Sequence, residues 1–323
     1  MASFFQNTKT LGIFLFIFFV FSFSPLDVRA EGVGTLSVSP LFIDISLEEG
    51  EKTKDFHVDV SNTTAEPVVL RFSLVDFGSL NESGGIAFLG KDGEGDNRYA
   101  LASWIVPERD VVTLLPDTKE TLKFTVENRE SLSPGGHYGA VLFAVEKEGQ
   151  DNQDVPSQVS VNPTFSALVF AKKEGGVQYK LDVKQWNFDR YSWRSGLPER
   201  IALRFQNSGN VDVTPRGRVT MTDPLGRLVA KGILNEDSAR ILPESFRMYR
   251  VQFVSIFPHI IPGFYSVTTE YRFDGQERAE MLPEQRFFAW GVAFWWGVAL
   301  VLIFGGTRFL RRTRQSRYKK SSS

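Results

Sequence analysis

The chain has 323 residues, 42% of them hydrophobic and 23% charged, with a formal net charge of −1 and no cysteine. That much apolar surface can build two ordinary cores, which excludes a disordered chain. The missing cysteine excludes a disulfide-stapled scaffold, so any exported domain must be held by core burial alone.

The first element is the apolar run "LGIFLFIFFVFSF" (11–23), preceded by Lys9 and followed by Val28 and Ala30 at small-residue cleavage positions. This predicts a secretory signal peptide over residues 1–30, too short for a comfortable membrane span, with an uncleaved N-terminal anchor as the alternative. From residue 31 to 286 the pattern is period-2 alternation. "FHVDVSN", "PVVLRFSLVD", "TLKFTVEN", "HYGAVLFAVE", "IALRFQN" and "YSVTTEYRF" are short, rich in Val, Phe, Tyr and Thr, and bounded by turn residues. No amphipathic helix is evident there, and the reading is all-β, in sandwiches of half-buried antiparallel strands.

The next element, "FFAWGVAFWWGVALVLIFGG" (287–306), has the length and apolarity of a transmembrane helix. A basic tail follows over 307–323, carrying Arg308, Arg311, Arg312, Arg314, Arg317, Lys319 and Lys320 and no acid. Positive charge behind a span places the tail in the cytoplasm and residues 31–286 outside the cell membrane. Of the 37 basic and 38 acidic residues, nine basic and one acidic lie beyond 31–286. The outer part is therefore near −9, which argues against a nucleic-acid partner.

The outer part also repeats. "VDVSNTT" reaches a strand end at Asn62 and "LRFQNSG" at Asn207, with Val60 and Phe205 two residues before. Leu-Pro follows at Pro116 and at Pro243, and an apolar strand residue lies eight further on, Phe124 and Val251. Pro-Gly then precedes Tyr138 in "SPGGHYGAVLF" and Tyr265 in "IPGFYSVTTEY", each 22 residues after the earlier proline. Shared order with near-equal spacing predicts two tandem Ig-like β-sandwich domains, over 31–174 and 175–286, joined at "AKKEGG". Pro-Gly suits the centre of a type II turn, Leu-Pro a strand start, and each tyrosine a corner whose hydroxyl bonds back to its turn.

Candidate chemistry is sparse. His57, His137 and His259 lack metal-ligand spacing, and no nucleophile–His–acid pattern or GxSxG occurs, so the expectation is a non-enzyme. Asp92, Glu94 and Asp96 alternate as calcium ligands do. Asn97 takes the sixth place where an EF-hand loop needs Gly, and Ser103 the twelfth where it needs Glu. The loop is thus a weak calcium candidate beside the plainer reading of a solvated hairpin tip.

The distance from Asn62 to Pro116 exceeds that from Asn207 to Pro243 by 18 residues. The surplus falls within 79–104, where Phe88, Asn97, Arg98, Tyr99 and Trp104 are the candidate ligand-binding residues. Aromatic and amide groups on a loop suit a sugar or peptide, whereas Trp104 also reads as a core residue. Trp186, Tyr191 and Trp193 form a second aromatic cluster, suited to packing or to a partner.

The order "VSP … VDVSNTTAEPVVL … ASW … VTLLPDTKETLKFTVEN … PGGHYGAVLF" resembles the N-terminal domain of the WxL-interacting protein family of bacterial surfaces. Asn62, Trp104, Leu115–Pro116 and Gly136 to Gly139 carry the resemblance. It implies a first domain that binds peptidoglycan and a second that binds a host or partner protein. The expectation is therefore a non-catalytic, membrane-anchored envelope protein that binds cell-wall glycan or another surface protein. The alternative is an assembly subunit that pairs its edge strands with a partner.

Overall fold

The computed structural model describes residues 35–90, 98–146, 164–192, 195–257 and 261–320. The signal-peptide stretch, Asp92, Glu94, Asp96, Asn97, Trp193 and His259 lie outside the described residues.

Alternation dictates the strands. The first half contains β1 (Leu36–Ser39), β2 (Phe42–Leu47), β3 (Thr53–Asn62), β4 (Val68–Ser79), β5 (Ile86–Gly90), β6 (Ile105–Pro107), β7 (Val111–Leu114), β8 (Thr118–Glu127), β9 (Gly135–Glu146) and β10 (Thr164–Lys173). β3 shows the logic: Phe56, Val58, Val60 and Asn62 point inward while the residues between them face out. A four-stranded sheet runs β1-β3-β8-β6, and a six-stranded sheet runs β2-β10-β9-β4-β5 with β7 also on β4. Between the two lies a core that includes Leu47, Val58, Val60, Leu114, Leu122, Phe124, Val126 and Phe143. Each fully buried Val, Leu or Phe contributes about 1.5–3 kcal/mol relative to exposure.

The second half contains β11 (Leu181–Tyr191), β12 (Pro198–Asn207), β13 (Arg216–Thr222), β14 (Leu228–Leu234), β15 (Phe246–Gln252), β16 (Val254–Ser255), β17 (Gly263–Arg272), β18 (Glu280–Met281) and β19 (Gln285–Ala289). Its sheets run β11-β12-β15 and β16-β14-β13-β17-β18, with β19 on β17. They enclose a separate core that includes Ile201, Leu203, Phe205, Val219, Val251 and Val267. The helix α1 (Gly291–Lys320) closes the chain, and Gly291–Phe309 is long and apolar enough to cross a membrane.

The repeat holds at the level of hydrogen bonds. Asn62 is fully buried and donates from Nδ2 to the carbonyls of Glu66 and Leu114 at 2.8 and 3.1 Å. Asn207, equally buried, donates to Val211 and Ile241 at 2.7 and 2.9 Å. Each Oδ1 accepts a backbone N–H two residues on, from Thr64 and from Gly209. Six residues past each Asn, Val68 pairs with Leu114 and Val213 with Ile241. Both asparagines staple a strand end to the segment entering the Leu-Pro turn. Burial also closes the N-T-T sequon at Asn62 to glycosylation in the folded chain.

Two expectations about the turns are corrected. The turn closed by a backbone hydrogen bond is Leu-Pro-X: Thr118 donates to Leu115 and Ser245 to Leu242. Asp117 and Glu244 take φ of 54° and 58° at the third position, the signature of a type II turn. The Pro-Gly pairs do not form one, because Gly135 and Gly263 adopt φ of 124° and 151°. Tyr265 is a corner tyrosine, donating to the Ile261 carbonyl at 2.7 Å. Tyr138 is not: its hydroxyl bonds Asp212, in the other half.

The expected span beginning at residue 287 is corrected as well. Phe287, Phe288 and Ala289 belong to β19, paired with β17, and Ala289 is fully buried. "QRFFA" alternates, so Phe287 stacks on Tyr265 in the second core while Phe288 faces out. The helix starts at Gly291, after the strand has ended.

The 18 extra residues also find their place. They add a short 3-10 turn (Ala102–Trp104) and β6, the fourth strand of a sheet that has three strands in the second half. Leu101, Ala102 and Ile105 are core residues, and buried Asp76 fixes the segment by accepting the Leu101 and Ala102 N–H groups, both at 2.7 Å.

Candidate interaction cleft between the halves

A strand of a one-sided sheet shows an apolar face and a polar one. β9 and β10 are apolar on both. Val141, Phe143, Ala167 and Val169 face the first core. Tyr138, Ala140, Leu168 and Phe170 face the opposite way and form a third cluster with Phe77, onto which Leu242 of the second half packs. The second half therefore covers the outer face of the first half's larger sheet. Phe77, Tyr138 and Phe170 meet edge-to-face or tilted, with centroids 5.3–5.8 Å apart.

Polar contacts ring this seam. The Tyr138 hydroxyl accepts the Asp212 N–H at 2.8 Å and donates to Asp212 Oδ1 at 3.2 Å. Arg240 clamps Asp44 with bonds of 2.5 and 2.7 Å, lies 3.3 Å from Asp212, and covers the Phe170 ring at 4.3 Å. Burial pushes the Asp212 carboxyl up despite Arg240, while the bond to Asp44 raises the guanidinium further. Burial also lifts the Tyr138 phenol well above its ordinary value, so it acts as a neutral hydrogen-bonding group. At the tip of the β4–β5 hairpin, Glu82 accepts from Arg204 at 2.8 Å, and its carbonyl accepts the Met248 N–H at 2.8 Å.

The glycine pair of "PGGHY" serves close approach. Gly136 donates its N–H to the Asn210 carbonyl at 2.7 Å. A Cβ on Gly135 would stand 2.7 Å from that carbonyl, and one on Gly136 only 2.1 Å from the Tyr138 hydroxyl. The neighbouring His137 is buried, with Nε2 2.7 Å from the Ser133 carbonyl and Nδ1 3.1 Å from that of Ala100. Burial holds the imidazole below its ordinary 6.5, against the two carbonyls that favour the charged ring, with Lys173 and Arg98 adding to the depression. A lowered folded value means that the unfolded chain binds the proton first. The contribution of His137 to stability is thus complete above pH 6.5 and declines as the pH falls below it. Urea unfolding across that interval should show the decline in the parent chain and a flatter profile in His137→Gln.

Beside the seam lies a cleft of about 380 Å³. Phe42, Phe77, Ile86 and Phe170 supply one wall, and Arg240, Leu242, Phe246 and Arg247 the other. β5 borders it. β5 pairs with β4 on one side, and among the described residues no strand pairs with its other side. Ile86, Phe88 and Leu89 on this edge are 38, 48 and 44% exposed.

Of the expected ligand-binding residues that are described, Arg98 and Tyr99 come together, the guanidinium 4.9 Å from the ring. Phe88 sits on the exposed edge. Arg98 and Tyr99 reach Glu244 of the second half, at 3.5 and 2.9 Å, and Tyr99 is pushed up to about 12 by burial and that carboxylate. Trp104 packs half-buried on the first core under the Arg129 guanidinium, 5.0 Å from its ring. In the second aromatic cluster, Trp186 packs on the second core and donates to Thr269 at 3.2 Å, while Tyr191 is exposed. Arg240, Asp44, Asp212, Glu82 and Arg204 did not stand out in the sequence, since isolated charges on polar strand faces carry no pattern.

No family model and no curated relative matches the sequence. Among solved structures, the chain is similar to one of a chaperone–tip adhesin complex of CFA/I fimbriae biogenesis. That match has 13% identity, covers 78% of this chain and 98% of that one, and has a TM-score of 0.42. The class 5 fimbriae chaperone CfaA shows 13% identity over 77% of this chain and 98% of its own, at a TM-score of 0.40. The CsuC–CsuE chaperone–tip adhesion subunit complex of Acinetobacter baumannii shows 15% identity over 66% and 89%, at 0.34.

Proposed function

We propose that this chain is a non-catalytic, membrane-anchored protein of a bacterial envelope that holds another surface protein through the β5 edge and the cleft beside it. Its two β-halves are taken as Ig-like domains outside the cell, meeting between Lys173 and Leu181. Gly291–Phe309 spans the membrane, and the basic tail lies in the cytoplasm. The likeness of Asn62, Trp104, Leu115–Pro116 and Gly136 to Gly139 to the WxL-interacting family supports the setting.

The observation that carries the reading is the edge itself. "IAFLG" bears no charge and no proline, two of the devices that protect a free edge, and its one irregularity is a register shift at Leu89 against β4. A partner strand added there would meet backbone groups that no described strand pairs, with an apolar cleft ready for its side chains. A glycan reading is less well supported, because Trp104 packs on the first core and Arg98 and Tyr99 are engaged with Glu244.

The test is purification of the full chain from its host membranes in mild detergent, with calcium and with chelator. A defined protein should co-purify. Phe88→Lys should weaken that capture about 10- to 100-fold, the value of one buried Phe side chain. Retention on peptidoglycan sacculi without any co-purifying protein would overturn the reading in favour of glycan.

A further inference from the structure

The end of the second half from which α1 departs carries an unusual surface. Gly263 faces Ala289 at the close of the β17–β19 pair, and Phe264 faces Phe288. The Asp223–Gly226 turn lies alongside, with Pro224 pressed against Gly263. Phe257 donates its N–H to Val229, just inside β14, and its ring lies 5.2 Å from the Arg227 guanidinium. These segments therefore share one end, the end tied to the helix root by the Gly291 N–H bonding the Ser195 carbonyl at 3.2 Å.

Leu225, Phe257, Phe264, Phe288 and Trp290 are all exposed there, Leu225 and Phe264 by 67 and 68%. The rings are continuous with the helix: Phe264–Phe288, Phe288–Trp290, Trp290–Phe294 and Phe294–Trp295 stand 5.5, 5.3, 4.8 and 5.6 Å apart. One residue separates the buried strand end Ala289 from the helix, so this end cannot move far from the place where α1 begins.

We infer that this apolar collar is a membrane-docking surface, which seats the second half in the headgroup–acyl boundary instead of leaving it on a free tether. The inference rests on α1 crossing a bilayer. Aromatic side chains favour that boundary, and burying them there removes apolar area from water. The occupant is lipid, because the collar runs without a break into the segment suited to hydrocarbon. The consequence is a fixed orientation of both halves above the membrane.

The chain has no cysteine, so single-cysteine variants carry a fluorophore at one known place. The full chain would be reconstituted in vesicles of phosphatidylcholine and phosphatidylglycerol, labelled in turn at Leu225→Cys, Phe264→Cys, Ile233→Cys and Leu302→Cys. Ile233 is an exposed residue at the far end of β14, and Leu302 lies within α1. The expected result is blue-shifted emission, quenched by nitroxide lipids, at 225, 264 and 302, with 233 open to aqueous iodide. Burial of 302 with 225 and 264 open to iodide overturns the docking surface and leaves the membrane span intact. Shielding of 264 from both quenchers marks a protein contact and likewise overturns it. A 302 label open to iodide removes the span, and the docking surface with it.

Discussion

Asn207→Ala lowers the unfolding free energy of the second half by about 3 kcal/mol, because it strands two buried backbone groups and leaves a third, the Ile241 carbonyl, with the Val213 N–H alone. The Val211 and Ile241 carbonyls lose a donor, and the Gly209 N–H loses its acceptor. All of this lies at a fully buried position with no route to solvent for the side chain. The aspartate variant separates this account from a loss of packing. Asn207→Asp keeps the shape and the acceptor for Gly209, but it turns a carboxylate oxygen toward two carbonyl oxygens. It should therefore be at least as destabilising as alanine. The same pair of substitutions at Asn62 should behave alike, since that side chain makes the equivalent bonds to Glu66, Leu114 and Thr64. Urea denaturation of the four variants measures this. Near-parent stability in the aspartate variants would contradict the stapling role.

Gly136→Ala acts on the seam instead. The new Cβ would lie 2.1 Å from the Tyr138 hydroxyl and 3.2 Å from the Val211 Cα. The ring cannot swing aside, because it is almost fully buried among Phe77, Tyr99 and Phe170. The expected cost is about 1–3 kcal/mol of overpacking, expressed as loosening of the two halves while each core persists. Spin labels at Leu115→Cys and Ile233→Cys, one exposed site on each half, should report a broadened distance distribution. Tyr138→Phe removes the clashing oxygen together with its bonds to Asp212. The double variant should therefore be less destabilised than the sum of the single ones, as coupled neighbours are. Strict additivity, or an unchanged distance distribution in Gly136→Ala, would show that the seam does not depend on this glycine.

Much of the fold was legible in the sequence. Alternation along β3 or β12 reveals the inward set directly, and Val60, Phe124, Phe205 and Val251 all fall in the cores expected for them. The repeat was legible because an asparagine that staples a strand end has few substitutes, so Asn62 and Asn207 stand in the same order before the prolines, although 18 residues further away in the first half. The surplus of 18 residues is countable in the sequence, but its place in the fold is not. Residues around Leu101 fill a core and add an edge strand, which composition cannot distinguish from a ligand loop.

The seam leaves a trace in the sequence. "HYGAVLFAVE" and "FSALVFA" are apolar at odd and even positions alike, which in an antiparallel sheet means that both faces are covered. The partners on the other side, Arg240, Asp212 and Leu242, come from distant turns, and no local pattern links them to Tyr138. The helix boundary was misplaced by four residues because "FFA" is equally apolar in a strand and in a span. Only the pairing of Phe287 with Tyr265 decides between them.

The central claim is that the β5 edge holds a protein partner in the envelope. Site-specific photo-crosslinking from Leu89 in the full chain, within living host cells, tests it most directly. The account predicts a discrete protein adduct from Leu89 and none from Ile233, an exposed apolar residue on the other half. Adducts of equal yield from both sites, or none from Leu89 while the chain is retained on cell-wall glycan, would contradict it.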